Sequence, residues 1–255
     1  MNNRSTRPLA HLAAGGAAID LHAHSSLGSL DSGLMPDVLV ERCLALGLSA
    51  ACVTEHNAVW SRREAREAEE RYGIPVLRGM EVSTDAGHVL VFGVERFSME
   101  MYSLETLRRI VESERGAMVI AHPLRDGSRF TRAWADAPAF FDAIEAVNGE
   151  DHRGAFDSLV ARAVRLGLGS TGGSDAHSAP GLGRALTLFE EAVETDADLV
   201  RALHGRRYRP HSERIPGSPA DRDVRETLRR GGQAPRRSSR ADRAGRRVDS
   251  ARPDI

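Results

Sequence analysis

The sequence predicts an α/β fold closed into a barrel, on three observations. Short apolar runs of strand length alternate with longer segments of helical periodicity through most of the chain, the pattern of a parallel sheet with covering helices. About seven such units fit into roughly 190 residues, which favours a closed barrel over an open sheet. Five of the ten histidines and the acids Glu81 and Asp175 fall just past the predicted strands, at the end where barrels carry their chemistry. A chain of 255 residues suffices for one barrel-sized domain, and 41% hydrophobic with 28% charged residues is ordinary for a globular protein.

The elements follow in order. Residues 1–16 are polar and then rich in Ala and Gly, and are expected to be flexible. Ala17 to Leu21 is short and apolar, a buried strand ending at His22 and His24. Ser25 to Gly33 is a loop of small residues that carries Asp31, and Pro36 opens a helix that Gly47 stops. Ser49 to Val53 is a second strand, running into Thr54-Glu55-His56-Asn57. Trp60 to Tyr72 alternates in charge sign and reads as a solvated helix closed by Gly73. Pro75 to Met80 is a third strand with Glu81 at its end, and Gly87-His88 opens a fourth, Val89 to Val94. Ser103 to Arg115 is an amphipathic helix, and the strand Ala117 to Ala121 terminates at His122-Pro123. Ala143 to Val147 is a strand ending at Asn148, followed by a helix from about Arg153 to Leu166. Leu168 to Gly172 leads into Gly173-Ser174-Asp175-Ala176-His177, and a last strand, Ala185 to Phe189, precedes a last helix, Asp196 to Leu203. The barrel domain is therefore expected over residues 17–212. Residues 213–255 hold few large apolar side chains and are expected to form a disordered Arg-rich tail.

Charge and composition exclude several classes. The net charge of −1 gives no global attraction to nucleic acid or a membrane surface. All 35 basic residues are Arg, which we read as codon bias and not as chemistry. Cys43 and Cys52, in a predicted helix and strand, read as buried reduced thiols. With no long apolar run and no secretory signal pattern, the expectation is no membrane span and a cytoplasmic location.

His22 and His24 lie two residues apart, so extended backbone points both imidazoles to the same side. Two neutral imidazoles aimed at one point make half of a site for a divalent metal. Alone, such a pair is as easily two unremarkable histidines. The recurrence at one barrel rim of His56, Glu81, His122, Asp175 and His177 is harder to dismiss, because gathered imidazoles and carboxylates desolvate and repel unless a cation neutralises them. His88 is the exception, at the beginning of its strand. Mixed His and carboxylate ligands without Cys suit Mn²⁺, Zn²⁺ or Fe²⁺. Two such ions about 3.5–4 Å apart activate water and clamp a phosphoryl group, so phosphoester hydrolysis is the natural match.

Asp20-Leu21-His22-Ala23-His24-Ser25, Asp31, Thr54-Glu55-His56-Asn57, Gly79-Met80-Glu81, His88, Ala121-His122-Pro123 and Gly173-Ser174-Asp175-Ala176-His177, in that order, resemble the motifs of the PHP (polymerase and histidinol phosphatase) family. The resemblance implies a distorted (β/α)7 barrel holding two or three divalent ions at the C-terminal ends of its strands. It implies that His22, His24, Glu81 and Asp175 hold one ion. Glu81 bridges to a second with His88 and His122, and Asp31, His56 and His177 hold a third. Glu55 stands where the family usually has Asp; the position is expected to orient a ligand and not to bind metal.

The implied mechanism is in-line attack on phosphorus by a water that the ions activate, with His56 or His177 as the acid for the leaving oxygen when the third site is empty. Arg125 and Arg184 are the candidates for holding substrate phosphate, against the plain alternative of surface arginines. Asn148 reads as a turn residue and Trp60 as helix-start packing, with substrate contact the lesser reading for each. The expected activity is metal-dependent hydrolysis of a small phosphomonoester, with a nucleotide or the end of a short RNA or DNA as refinements. Histidinol-phosphate phosphatase and a non-catalytic metal-binding module are the alternatives.

Overall fold

The computed structural model describes residues 9–12, 15–125, 129–150 and 156–212, all within the compact unit Met1–Pro216. The expected tail and most of the expected N-terminal segment lie outside the described residues. Within that segment, Leu9–Leu12 forms a 3-10 turn with Leu9 buried.

The strands are β1 (Ala17–Ile19), β2 (Ala51–His56), β3 (Val76–Thr84), β4 (Gly87–Phe92), β5 (Ala117–Ile120), β6 (Ala143–Asn148), β7 (Gly169–Gly173), β8 (Leu186–Phe189) and β9 (Tyr208–His211). The helices are α1 (Pro36–Leu46), α2 (Arg62–Tyr72), α3 (Leu104–Glu114), α4 (Phe156–Leu166) and α5 (Asp196–Gly205). The class is α/β, with β2 to β7 side by side in chain order in a six-stranded sheet and β1, β8 and β9 in a second, antiparallel sheet. Local chemistry sets the helix ends. Pro36 starts α1 and Gly47, at φ 72°, stops it; Ser61 with Glu64 and Thr195 with Asp198 form reciprocal capping boxes on α2 and α5.

The six-stranded sheet corrects the expectation of an all-parallel one. β2 and β3 are parallel, as are β5, β6 and β7, but β4 runs antiparallel to both its neighbours. Only Asp85 and Ala86 separate β3 from β4, far too few residues for a crossover, so the chain can only turn back. Gly87, at φ 117°, takes the backbone geometry that a side chain would resist. This reversal also explains His88. The start of an antiparallel strand lies beside the end of its partner, and His88 pairs in register with Ser83, two residues beyond Glu81.

The sheet curls into a half-barrel. The segment after β1 runs between its two ends: the Thr54 N–H donates to the Ala23 carbonyl at 2.9 Å, while on the other side Ala23 bridges Ala176. The His24 N–H reaches the Ala176 carbonyl at 2.9 Å, and the Asp175 N–H the His22 carbonyl at 2.7 Å.

Period-two alternation stacks the inner face in two layers. Leu77 precedes Glu81 on one face of β3, Leu90 follows His88 on β4, and Ala143 precedes Glu145 on β6, so the apolar member lies deeper and the polar one at the rim. Ile19, Cys52, Leu77, Leu90, Phe92 and Val119 form the buried floor beneath the site. Gly79 leaves room for the Phe92 ring, which a Cβ there would meet at 2.7 Å. Helices α3 and α4 close the outer face through Leu107, Val111, Leu159 and Ala163. Among the described residues no helix is long and apolar enough to cross a membrane.

Candidate metal centre

Glu81 is the hub of the rim. It is fully buried at the inward face of β3, and five imidazoles reach it. Its Oε1 lies 2.7 Å from His122 Nε2 and 2.9 Å from His88 Nδ1. Its Oε2 lies 2.9 Å from His56 Nδ1 and 3.4 Å from both His22 Nε2 and His24 Nε2. Asp175 closes the circle, with Oδ1 3.2 Å from His24 Nε2 and 3.5 Å from His22 Nε2. Two residues of this rim carry positive φ, His122 at 22° and Asp175 at 56°. Such geometry costs on the order of 1–3 kcal/mol per residue and persists where surrounding bonds hold it. Here the Asp175 N–H is held by the His22 carbonyl and the His122 N–H by Glu145 at 2.8 Å.

Three sets of side chains bring ligand atoms within 4.8 Å of one another: His22, His24, Glu81 and Asp175; Glu81, His88 and His122; and His24, His56 and His177. Asp31 sits at the edge of the last set, its exposed carboxylate 3.2 Å from His56 Nε2 and 3.4 Å from His177 Nε2.

Within the first set, His22 Nε2, His24 Nε2 and Glu81 Oε2 are buried with no well-directed hydrogen bond, the imidazole–carboxylate approaches of 2.9–3.4 Å lying off the bonding direction. Three unsatisfied polar atoms converging on one point is a costly arrangement for protein alone. It suits a divalent cation, and the His and carboxylate donors fit the borderline metals. The protonation balance points the same way. Burial opposes charge on His22, but the carboxylates of Asp175, Glu145 and Glu81 outweigh it and hold its pKa well above the ordinary value. Burial would raise Glu81 and Asp175, yet the His22 charge and the imidazoles packed around them keep both well below the carboxylate range. Burial pushes His24 down to about 4. The carboxylates thus demand a positive partner at this point.

Further residues orient this set. Glu55 binds no member directly: it accepts from the Ser25 N–H and Ser25 hydroxyl, from Ser29 Oγ at 2.6 Å and from the Trp60 indole at 2.9 Å. Ser29 Oγ in turn lies 3.3 Å from His24 Nδ1 and accepts the His56 N–H at 3.1 Å. Trp60 is therefore buried beneath the site and does not line it. Gly28 rests on Glu55, whose Cγ a Cβ at that position would meet at 2.7 Å.

Arg125 reaches the site, donating from Nη1 to Asp175 Oδ2 at 2.5 Å and from Nη2 to Asn148 Oδ1 at 2.7 Å. Arg184 pairs with Glu150 at 2.7 Å, further out. Asn148 corrects its reading as a left-handed turn residue. It ends β6 without positive φ, accepts the Glu150 N–H at 3.0 Å, and also donates to Glu145 at 2.9 Å. Sequence reasoning assigned Glu145 no role, although an acid inside the apolar run Ala143-Ile144-Glu145-Ala146-Val147 is itself a signal of a partnered carboxylate.

Comparison with known proteins agrees with this architecture. The PHP domain family model matches residues 20–145, and the PHP-associated model matches residues 160–208. The chain is 38% identical over 64 residues to an error-prone DNA polymerase of Nocardia farcinica, covering 25% of this chain and 6% of that one. It is 35% identical over 83 residues to a 3',5'-nucleoside bisphosphate phosphatase of Chromobacterium violaceum, covering 31% of this chain and 28% of that one. The matches thus span only a minor part of these relatives. A candidate metal-dependent phosphoesterase of Bifidobacterium adolescentis superposes with a TM-score of 0.57 at 19% identity, over 74% of this chain and 96% of the other. By its two matched domains and the fold they share with such structures, the chain belongs to the PHP family.

Proposed function

We propose that this chain is a metal-dependent phosphoesterase that hydrolyses small phosphate esters, with nucleotides or the ends of short RNA or DNA as the favoured substrates. The observation that carries the reading is the convergence on one point at the rim of the buried His22 Nε2, His24 Nε2 and Glu81 Oε2, none of which has a well-directed hydrogen bond. The relative named as a nucleoside bisphosphate phosphatase supports the substrate class. In this reading residues 17–212 form the catalytic domain, a distorted (β/α)7 barrel.

His22, His24, Glu81 and Asp175 would hold one divalent ion, Glu81, His88 and His122 a second, and Asp31, His56 and His177 a third, with Mn²⁺, Zn²⁺ or Fe²⁺ as the candidates. When bound, such ions lower the pKa of a water and neutralise charge on a phosphoryl group. The chain's own groups do the rest. The Arg125 guanidinium, half-buried and anchored through Asn148, has remaining N–H groups to bind and orient a phosphate oxygen. His56 and His177 are part exposed at the mouth, where, when the third ion is not held, either can hand a proton to the leaving oxygen. Arg184, tied to Glu150, is suited to a more distant part of a longer substrate. The apolar floor formed by Ile19, Leu77, Leu90 and Val119 keeps bulk water from the buried side of the ligand set.

The test is phosphate release by Mn²⁺-loaded protein from an aryl phosphate, nucleoside mono- and bisphosphates, short RNA and histidinol phosphate. Chelator-sensitive turnover of a nucleotide is expected. Absence of turnover on every member, with ions bound, would overturn the reading, and preference for histidinol phosphate would replace the substrate assignment.

A further inference from the structure

Glu145 takes no ligand position, yet it is 1% exposed and its two oxygens serve both halves of the centre. Oε1 lies 2.9 Å from His22 Nδ1, and Oε2 accepts the His122 N–H at 2.8 Å. The Asn148 carboxamide donates to the same Oε2 at 2.9 Å. That amide cannot be turned the other way, because its own oxygen accepts from Arg125 at 2.7 Å and from the Glu150 N–H at 3.0 Å. Oε2 therefore faces donors alone, and Oε1 faces one imidazole nitrogen. Space is also closed around the pair: a Cβ on Gly173 would lie 2.7 Å from Glu145 Oε1 and 2.4 Å from His22 Cβ.

We propose that Glu145 is a positioning residue that holds the His22 proton on Nδ1, turns the Nε2 lone pair toward the ion, and keeps His22 and His122 in register by also gripping the His122 backbone. The inference rests on the metal-centre reading above and gives one carboxylate two duties. A carboxylate accepting the second N–H of a ligating imidazole fixes its tautomer and ring orientation. The shared grip ties the set around His22 to the set around His122.

Glu145→Gln separates this role from packing. Gln has the same shape, but the two donors at the Oε2 position demand its carbonyl oxygen there. Its NH₂ must then face His22 Nδ1, which becomes an acceptor, and the proton moves to Nε2, where it blocks the ion. Metal-stripped full-length protein is titrated with Zn²⁺ or Mn²⁺ by equilibrium dialysis, with thermal unfolding of the stripped protein alongside. Glu145→Gln is expected to bind about 10–100-fold more weakly while the stripped variant unfolds near the wild-type temperature. Glu145→Asp, which keeps the acceptor and the charge, is expected to recover part of the loss. Affinity equal to wild type in Glu145→Gln overturns the proposal. Should that variant not fold, ¹⁵N spectra of Zn²⁺-loaded wild type decide: a protonated His22 Nδ1 supports the role, and an unprotonated one overturns it. Wild type that takes up no divalent ion overturns both this role and the proposed function. Failure of every substrate, with the expected ion-binding difference intact, overturns only the phosphoesterase reading.

Discussion

Glu81→Gln removes one negative charge from the point where the ligand sets meet, at almost no change in volume. Two of the three candidate sets contain Glu81, so a single substitution touches both, whereas His88→Ala or Asp175→Asn touches only one. In the metal-stripped protein two effects oppose. The hydrogen bonds with His122 (2.7 Å) and His88 (2.9 Å) lose their charged member, each worth about 1.5–3 kcal/mol. Against that, a neutral amide costs less to bury than a carboxylate. The ion-dependent increment is cleaner. At a free concentration one hundred times its Kd, one ion stabilises the fold by about 2.7 kcal/mol, and two by about 5 kcal/mol. For a domain of this size each kcal/mol moves the midpoint by about 2–4 °C, so wild type should rise by roughly 10–20 °C. Differential scanning fluorimetry with and without Mn²⁺ measures that rise. Glu81→Gln should lose most of it and His88→Ala about half. A Glu81→Gln protein that keeps the full wild-type increment would refute the placement of Glu81 at the centre.

Other expectations follow from the same geometry. His22→Ala and Asp175→Asn should each abolish aryl phosphate hydrolysis while circular dichroism stays native, and near-wild-type activity in either would count against the assignment. Arg125→Ala removes a charge-assisted contact and should lower kcat/KM by about 10–150-fold, equivalent to about 1.5–3 kcal/mol; if neither kcat nor KM moves, Arg125 is a bystander. The capping boxes predict an acid limb in stability. Hydrogen bonds with Ser61 hold Glu64 below its ordinary 4.5, and those with Thr195 hold Asp198 below its ordinary 3.8. Groups depressed on folding stabilise fully above their unfolded values and lose that contribution as pH falls through the folded ones. Glu64→Gln with Asp198→Asn should therefore be less stable than wild type at pH 7, and the urea midpoints of the two should converge in acid.

Four helices were legible to within a residue or two because their signals are local, while the expected start of α4 at Arg153 lies outside the described residues. Pro36 and Gly47 bracket α1, and Ser103 with the apolar spacing of Leu104, Leu107 and Val111 marks α3. β9 escaped notice because Arg209 and Pro210 read as loop, and it pairs only with β8 at a sheet edge, where Pro is tolerated. Strand direction was the larger miss. Alternation of strands and helices suggested parallel pairing throughout, although the lack of any helix between Glu81 and His88 already forbade it there. The rim residues were legible because histidines past strand ends are conspicuous in sequence. Glu145 and Asn148 were not, because their importance lies in partners 123 and 27 positions away, His22 and Asp175. Such pairing is a property of the folded sheet: the apolar run around Glu145 marks a partnered carboxylate but does not name its partner.

The tight reversal at Asp85-Ala86 makes one imidazole hostage to the length of a turn. Since neighbouring side chains on an extended chain face opposite ways, adding one residue there and sliding the following strand by that step would send His88 outward and swing Val89 into the mouth. Longer excursions are cheap in most connections between these strands, because a helix absorbs them on the outside. Here the loop has no such slack, so drift in its length is tied directly to the chemistry of the aperture.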